Sequence, residues 1–264
     1  MSKYFMFAKA SFKEIFSEAT NVLGTVLSFV IHIIVFSFLW EFVLEGKTLA
    51  GYSRQELIWY VIMAEAICYS FHNFYKKVAS KVENGDFAYD MTKPFNFMLR
   101  TISEGVAELP LTVILIIAGG ILGIITCGVL TTNILHIALS LVVMLLSTVI
   151  LLLLNIIVGL LSMWLGRDVS SIWLLFHKAM LIFAFTPIEL FPKVAQSILL
   201  ALPTTHVIYT PASLFVHFST NKFVASMLYV IASIALLSII LYVIYRKGVK
   251  KTKCQRYLIL LFLH

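Results

Sequence analysis

Residues 134–165 read ILHIALSLVVMLLSTVILLLLNIIVGLLSMWL, a run without a single Asp, Glu, Lys or Arg. About twenty apolar residues carry a helix across the hydrocarbon of a bilayer. This run exceeds that length, which predicts a helix that tilts or projects beyond the lipid. Working outward, comparable apolar runs lie at 21–43, 57–75, 106–130, 169–188 and 223–245. The whole chain of 264 residues is 61% hydrophobic, 14% aromatic and 12% charged, with mean hydropathy +0.98. Soluble domains are nearer half apolar and a quarter charged. The expectation is an all-α polytopic membrane protein with six transmembrane helices. They form one transmembrane domain over 1–250, followed by a cytoplasmic tail, 251–264.

The formal charge of +7 does not indicate nucleic acid, because the basic residues flank the apolar runs. With the N-terminus inside, the inner segments hold Lys3, Lys9 and Lys13, then Lys76, Lys77, Lys81, Lys93 and Arg100, then Arg167. The end of the chain adds Arg246, Lys247, Lys250, Lys251, Lys253 and Arg256. The outer segments hold Lys47, Arg54, Lys193 and Lys222. Fifteen against four places both termini in the cytoplasm. The N-terminal region does not read as a cleavable signal, since the apolar run after it is too long. Cys68, Cys127 and Cys254 have no metal or CxxC spacing.

Residues 3–19 place Tyr4, Phe5, Ala8, Phe12, Ile15, Phe16 and Ala19 at helical spacing, with Lys9, Lys13, Glu14 and Glu18 mostly elsewhere. That pattern predicts an interfacial helix lying in the headgroup plane. Residues 74–83 repeat it in miniature, with Phe74, Val78 and Val82 on one stripe and Lys76, Lys77 and Lys81 off it. A turn at Asn84-Gly85 follows, and Lys93-Pro94 marks the exit. On the other side, Pro192, Pro203 and Pro211 punctuate residues 189–222. There the run Val194–Leu202 is too short to cross and predicts a re-entrant or interfacial helix turning back at Pro203.

No catalytic or nucleotide motif survives inspection. Gly46-Lys47-Thr48 resembles the end of a phosphate loop, but the glycine required five positions earlier is Glu41. There is no HExxH, no GxSxG and no histidine pair with a third ligand nearby. The chain is therefore expected to be neither an enzyme nor a metal or cofactor binder. Polar residues inside the runs carry more interest: Glu65, Asn155, His177 and Lys178. A charge in lipid costs roughly 3 kcal/mol, so such groups face the bundle or a wet cavity. They mark a translocation path, or pair internally, as Glu65 with Lys178, or Lys178 snorkels to the interface. Gly119-xxx-Gly123 and Ser162-xxx-Gly166 permit close helix approach, within one chain or between two.

With that layout in place, the chain resembles the permease subunit of type-2 (ABC-2) ABC exporters, closest to a small group often found as paired permeases beside one ATPase. Two segments carry the resemblance: KVENGDFAYDMTKPFN from Lys81, and FAFTPIELFPKVAQSILLALPTTHVIYTPASLF from Phe183. The resemblance implies a cytoplasmic coupling helix and an extracellular re-entrant hairpin marked by Pro187, Pro192, Pro203 and Pro211. It implies two cytosolic ATPase subunits that hold ATP and magnesium, a second identical or homologous permease chain, and a bacterial plasma membrane. The coupling contact would fall on Lys77, Lys81, Glu83, Asn84, Gly85, Asp86, Phe87 and Pro94. The exported substrate would be an amphiphile: a drug, a lipid-linked compound or a peptide. An ion-gradient-driven secondary transporter is the alternative, motivated by Glu65 and Lys178. An intramembrane enzyme is a weaker third, since it rests only on the buried histidines.

Overall fold

The computed structural model describes residues 2–71, 73–130, 132–165 and 169–262, with only the backbone described for Ser2, Pro203 and residues 252–262. Arg167 and Gly166, which entered the charge count and the second small-residue pair, lie outside the described residues. Helices account for nearly all of the rest. The chain runs α1 (Ser2–Ser17), α2 (Ala19–Leu44), α3 (Arg54–Cys68), α4 (Phe74–Glu83), α5 (Asp86–Asp90), α6 (Phe97–Val106), α7 (Leu109–Cys127) and α8 (Ile134–Leu165). It continues through α9 (Ser170–Phe185), a 3-10 turn at Ile188–Leu190, α10 (Lys193–Leu200), α11 (Pro203–Val216) and α12 (Thr220–Phe262).

The long apolar run forms the unbroken helix α8, whose residues from Ile150 to Leu160 are all buried. It is the hub against which α4, α6, α9, α11 and α12 pack. A second centre is α3, buried continuously from Leu57 to Cys68 among α2, α7, α9 and α11. Gly119 and Gly123 of α7 face α3. A methyl on Gly119 would lie 2.6 Å from Ile62, and one on Gly123 would lie 2.9 Å from Trp59. The GxxxG pair therefore seats helices within one chain.

Among the described residues four helical stretches are long and apolar enough to cross a membrane: Ala19–Leu44, Phe97–Cys127 (α6 and α7 taken together), Ile134–Leu165 and Thr220–Lys251. Two of the six expected runs are shorter. The run at 57–75 breaks after Cys68, and Phe74 already belongs to α4. The run at 169–188 stops at Phe185, because Thr186 is extended ahead of Pro187. Helices of 15 and 16 residues reach only about 22–24 Å.

The proline-rich segment is more ordered than its composition suggests. Proline at the start of α11 is pre-organised for a first helical turn. From Thr205 to Val216 this helix is buried against α3, α8, α9 and α12. Its polar side chains are satisfied close at hand. His206 bonds the Leu200 carbonyl at 2.9 Å and the Thr210 hydroxyl at 3.0 Å, and its ring stacks on Tyr229. The Tyr209 hydroxyl donates to Glu189 at 2.6 Å.

At its N-terminal end, α3 begins with a reciprocal cap between Ser53 and Glu56. Glu56 also meets His217 at 3.0 Å, and the Trp59 indole donates to the Gly128 carbonyl at 3.1 Å. Three loops are thereby tied together over the end of α3. The last helix, α12, runs without a break through residue 250, where the sequence suggested the start of a tail.

Candidate functional site

The segment between α3 and α7 is built as a platform. Asn73 gives α4 no side-chain cap. The Tyr75 N–H, one of the donors a helix start leaves unsatisfied, instead donates to Asn155 Oδ1 of α8 at 3.1 Å. Phe74, Tyr75, Val78 and Ala79 form the buried stripe of α4. They lie on α8 where Gly159 leaves room: an added methyl there would sit 2.5 Å from Val78 Cβ and 2.8 Å from the Tyr75 carbonyl oxygen. α4 thus touches the hub through its backbone.

The turn after α4 needs Gly85, whose φ is +80°. α5 then brings Phe87 inward, 1% exposed, edge-on to Phe97 at 4.7 Å and to Tyr245 of α12 at 6.2 Å. Beneath the turn lies a charge network. Arg100 bonds Asp90 at 2.5 Å and Glu104 at 2.8 Å, and Lys81 pairs with the other oxygen of Glu104. The Asp90 and Glu104 side chains are only 4% and 7% exposed, so each needs the cations it has. Burial pushes the Lys81 ammonium below the usual lysine range, and Glu104 offsets only part of that shift.

The N-terminal helix is docked onto this platform. Lys3 donates to the Pro94 carbonyl at 2.7 Å, and the Asn96 N–H donates to the Tyr4 hydroxyl at 3.1 Å. Phe7 meets Phe95 at 5.2 Å, and the Arg100 guanidinium sits 4.9 Å from the Phe7 ring centre. Lys77 bonds Glu14 at 2.5 Å and Ser11 at 3.3 Å. Phe5 and Phe12 remain exposed, the side an interfacial helix turns to lipid.

The residues expected at the coupling contact divide into two groups. Glu83, Asn84, Gly85 and Asp86 are exposed at the tip, and Pro94 is exposed at the exit. Lys77, Lys81 and Phe87 face inward and hold the tip up. Sequence reasoning missed Asp90, Arg100 and Glu104 as a unit. The i,i+4 spacing of Arg100 and Glu104 was the available signal. Tyr89, 63% exposed beside the tip, was also missed.

The polar residues of the bundle are not gathered in one place. Asn155 serves α4 and returns a hydrogen bond to the Leu151 carbonyl. Glu65 is fully buried, and among the described residues neither carboxyl oxygen has a hydrogen-bond partner. Lys178 is exposed on α9 and forms no pair with Glu65. His177 stands one residue earlier, its ring 6.1 Å from that of Trp173. Of the four prolines, Pro187 opens the 3-10 turn, Pro192 precedes α10 and Pro203 begins α11. α10 and α11 are bent from each other by 110°. Pro211 lies inside α11, where it supplies no N–H to the preceding turn. Among the described residues no group of three His, Cys, Asp or Glu could hold a metal ion.

Several long apolar helices around a buried hub, with a braced platform at one end, define a multi-pass membrane protein. A family profile described as ABC-2 family transporter protein matches residues 17–255. That match spans most of the chain, and the protein belongs to this family, whose members are membrane permeases of ABC transporters. No match was found among curated proteins.

Proposed function

We propose that the chain forms half of the translocation pathway of an ATP-driven exporter and receives the work of a separate cytosolic ATPase through α4 and α5. One observation carries this reading. The exposed tip Glu83–Asp86 stands on a charge network and is joined to the hub by backbone contact at Gly159. A push on the tip is therefore delivered to α8 instead of being lost in a slack loop.

In this reading the chain crosses the membrane six times, with α3 and α9 as short crossings inside the bundle and both termini in the cytoplasm. The distribution of Lys and Arg supports that orientation. Two permease chains, identical or homologous, work with two ATPase subunits that hold ATP and magnesium. The membrane is a bacterial plasma membrane and the cargo is an amphiphile. The test is copurification with an ABC ATPase and measurement of its turnover in proteoliposomes. The expected result is a stable complex whose ATPase rate changes with the permease, and deletion of 80–94 removes the change. A chain that inserts normally yet neither binds nor alters an ATPase overturns the reading.

A second reading, transport driven by an ion gradient, draws on Glu65, a buried carboxyl with no hydrogen-bond partner among the described residues. Uptake or efflux that follows an imposed proton gradient without ATP, and is lost in Glu65→Gln, would favour it over the first.

A further inference from the structure

α1 has two unlike sides. On one, Lys3, Tyr4, Phe7, Ser11 and Glu14 all take partners on the platform. At about 100° per residue, the opposite side gathers Phe5, Phe12 and Phe16 into one stripe and Lys9 and Lys13 into a second stripe beside it. Phe5 is 71% exposed and Phe12 41%, and the rings of Phe12 and Phe16 lie 4.5 Å apart. Lys9 and Lys13 are exposed, and among the described residues neither forms an ion pair.

The charges of this segment are sorted between the two sides. Residues 1–40 contain two acids, Glu14 and Glu18. Both line a cleft of about 250 Å³ on the docked side. There Lys77 of α4 bonds Glu14 at 2.5 Å, and the Asn21 amide donates to Glu18 at 2.5 Å. The open side of α1 is left with aromatic rings, two ammonium groups and no carboxylate of its own. Lysines beside the rings, and not beneath them, suit a headgroup layer. The rings sink to the acyl boundary, while each four-carbon stem carries its ammonium up to the headgroups. A neutral surface would cover the rings equally well, but it would leave both ammonium groups without a counter-charge.

We propose that the open side of α1 binds the surface of an anionic lipid bilayer, with Phe5, Phe12 and Phe16 at the acyl boundary and Lys9 and Lys13 against the net negative charge of the headgroups. The inference goes beyond an interfacial placement because it selects the lipid. It requires the membrane location and not the export reading. Each lysine held near such a surface strengthens the attachment by about fivefold.

The experiment places the full chain in nanodiscs of phosphatidylcholine, alone or with one third phosphatidylglycerol, and follows hydrogen exchange of the amides of residues 5–16. Their protection is expected to be at least about tenfold greater with phosphatidylglycerol, while the amides of 150–160 in α8 stay within about twofold. In Lys9→Gln/Lys13→Gln the gain falls to about twofold or less, and in Lys9→Arg/Lys13→Arg it is kept. Both lysines are exposed, so these substitutions leave the docked side alone. Lys47→Gln, which removes a charge from the connection between α2 and α3, also keeps the gain. Salt at about 1 M removes it by screening. Equal protection in the two lipids overturns the proposal. So does a gain that survives in the glutamine variant, or one that Lys47→Gln abolishes as fully. Protection that appears only on adding an ATPase or more of the chain, whatever the lipid, assigns the face to a protein and overturns it too. The nanodiscs hold no ATPase, so failure of the export reading leaves this result untouched.

Discussion

Asn155 on α8 accepts the backbone N–H of Tyr75 on α4 at 3.1 Å, across eighty residues of sequence. A side chain in the middle of the most apolar helix thereby does the work of an N-cap for another helix. Asn155→Leu leaves the Tyr75 donor buried and unpaired, at a cost of about 1–3 kcal/mol. The expected outcome is a lower melting temperature in detergent. Asn155→Asp keeps the acceptor and is expected to fall between the two.

Gly159 marks a close approach of α4 to the hub. The atom opposite is the Tyr75 carbonyl oxygen at 2.8 Å from the added methyl, so Gly159→Ala has to move α4 and not merely rotate a side chain. Destabilisation of about 1–3 kcal/mol is expected, as for overpacking in a filled core. Gly120→Ala, which meets nothing within 4 Å, serves as the control and is expected to be neutral or slightly stabilising. Thermal melts of both variants check the contrast.

Removing Glu104 takes the counter-charge from both Lys81 and Arg100. Glu104→Ala is expected to cost about 3 kcal/mol or more, the penalty for breaking a buried pair from one side. Lys81→Ala in the same chain is expected to restore part of the loss. A double-mutant cycle on melting temperature measures the coupling.

At the tip the expectation is the reverse: little effect on folding and a large one on coupling. Glu83 and Asp86 are exposed and neither enters the charge network. Glu83→Lys and Asp86→Lys are expected to leave the melting temperature within about 1 °C while uncoupling ATP hydrolysis from transport. Surface changes away from structural features stay within about 0.5 kcal/mol. A strong fall in melting temperature would assign these residues to the scaffold instead.

What the sequence discloses depends on the range of the interaction. The fate of α8 is local, since its apolar side chains dictate burial wherever the helix ends up. The turn at Asn84-Gly85 is also local and is present where expected. Phe87 was read as a surface contact, because nothing near it reveals that Phe97 and Tyr245 will close over it. Nothing near Phe7 reveals its partner Phe95, which is remote in sequence. α11 was hidden for a different reason. Its Pro, Thr and His resemble loop composition, yet bonds such as His206 to Thr210 satisfy those side chains within the segment and permit burial. The charge count saw Arg100 as a topological marker only, although two buried carboxylates wait for it.

The docking of α1 has a bearing on how the protein is made. Lys3 and Tyr4 find their partners at Pro94 and Asn96, ninety-one and ninety-two residues later. At about 5–20 residues per second, a ribosome takes roughly five to twenty seconds to make that intervening chain. The helix that emerges earliest among those described is thus among the later ones to find its seat. Until the platform exists, an interfacial α1, which the sequence pattern favours, would keep its exposed Phe5 and Phe12 on the lipid surface. An interfacial helix is suited to that wait, because it can rest on the membrane while the rest of the bundle is threaded in.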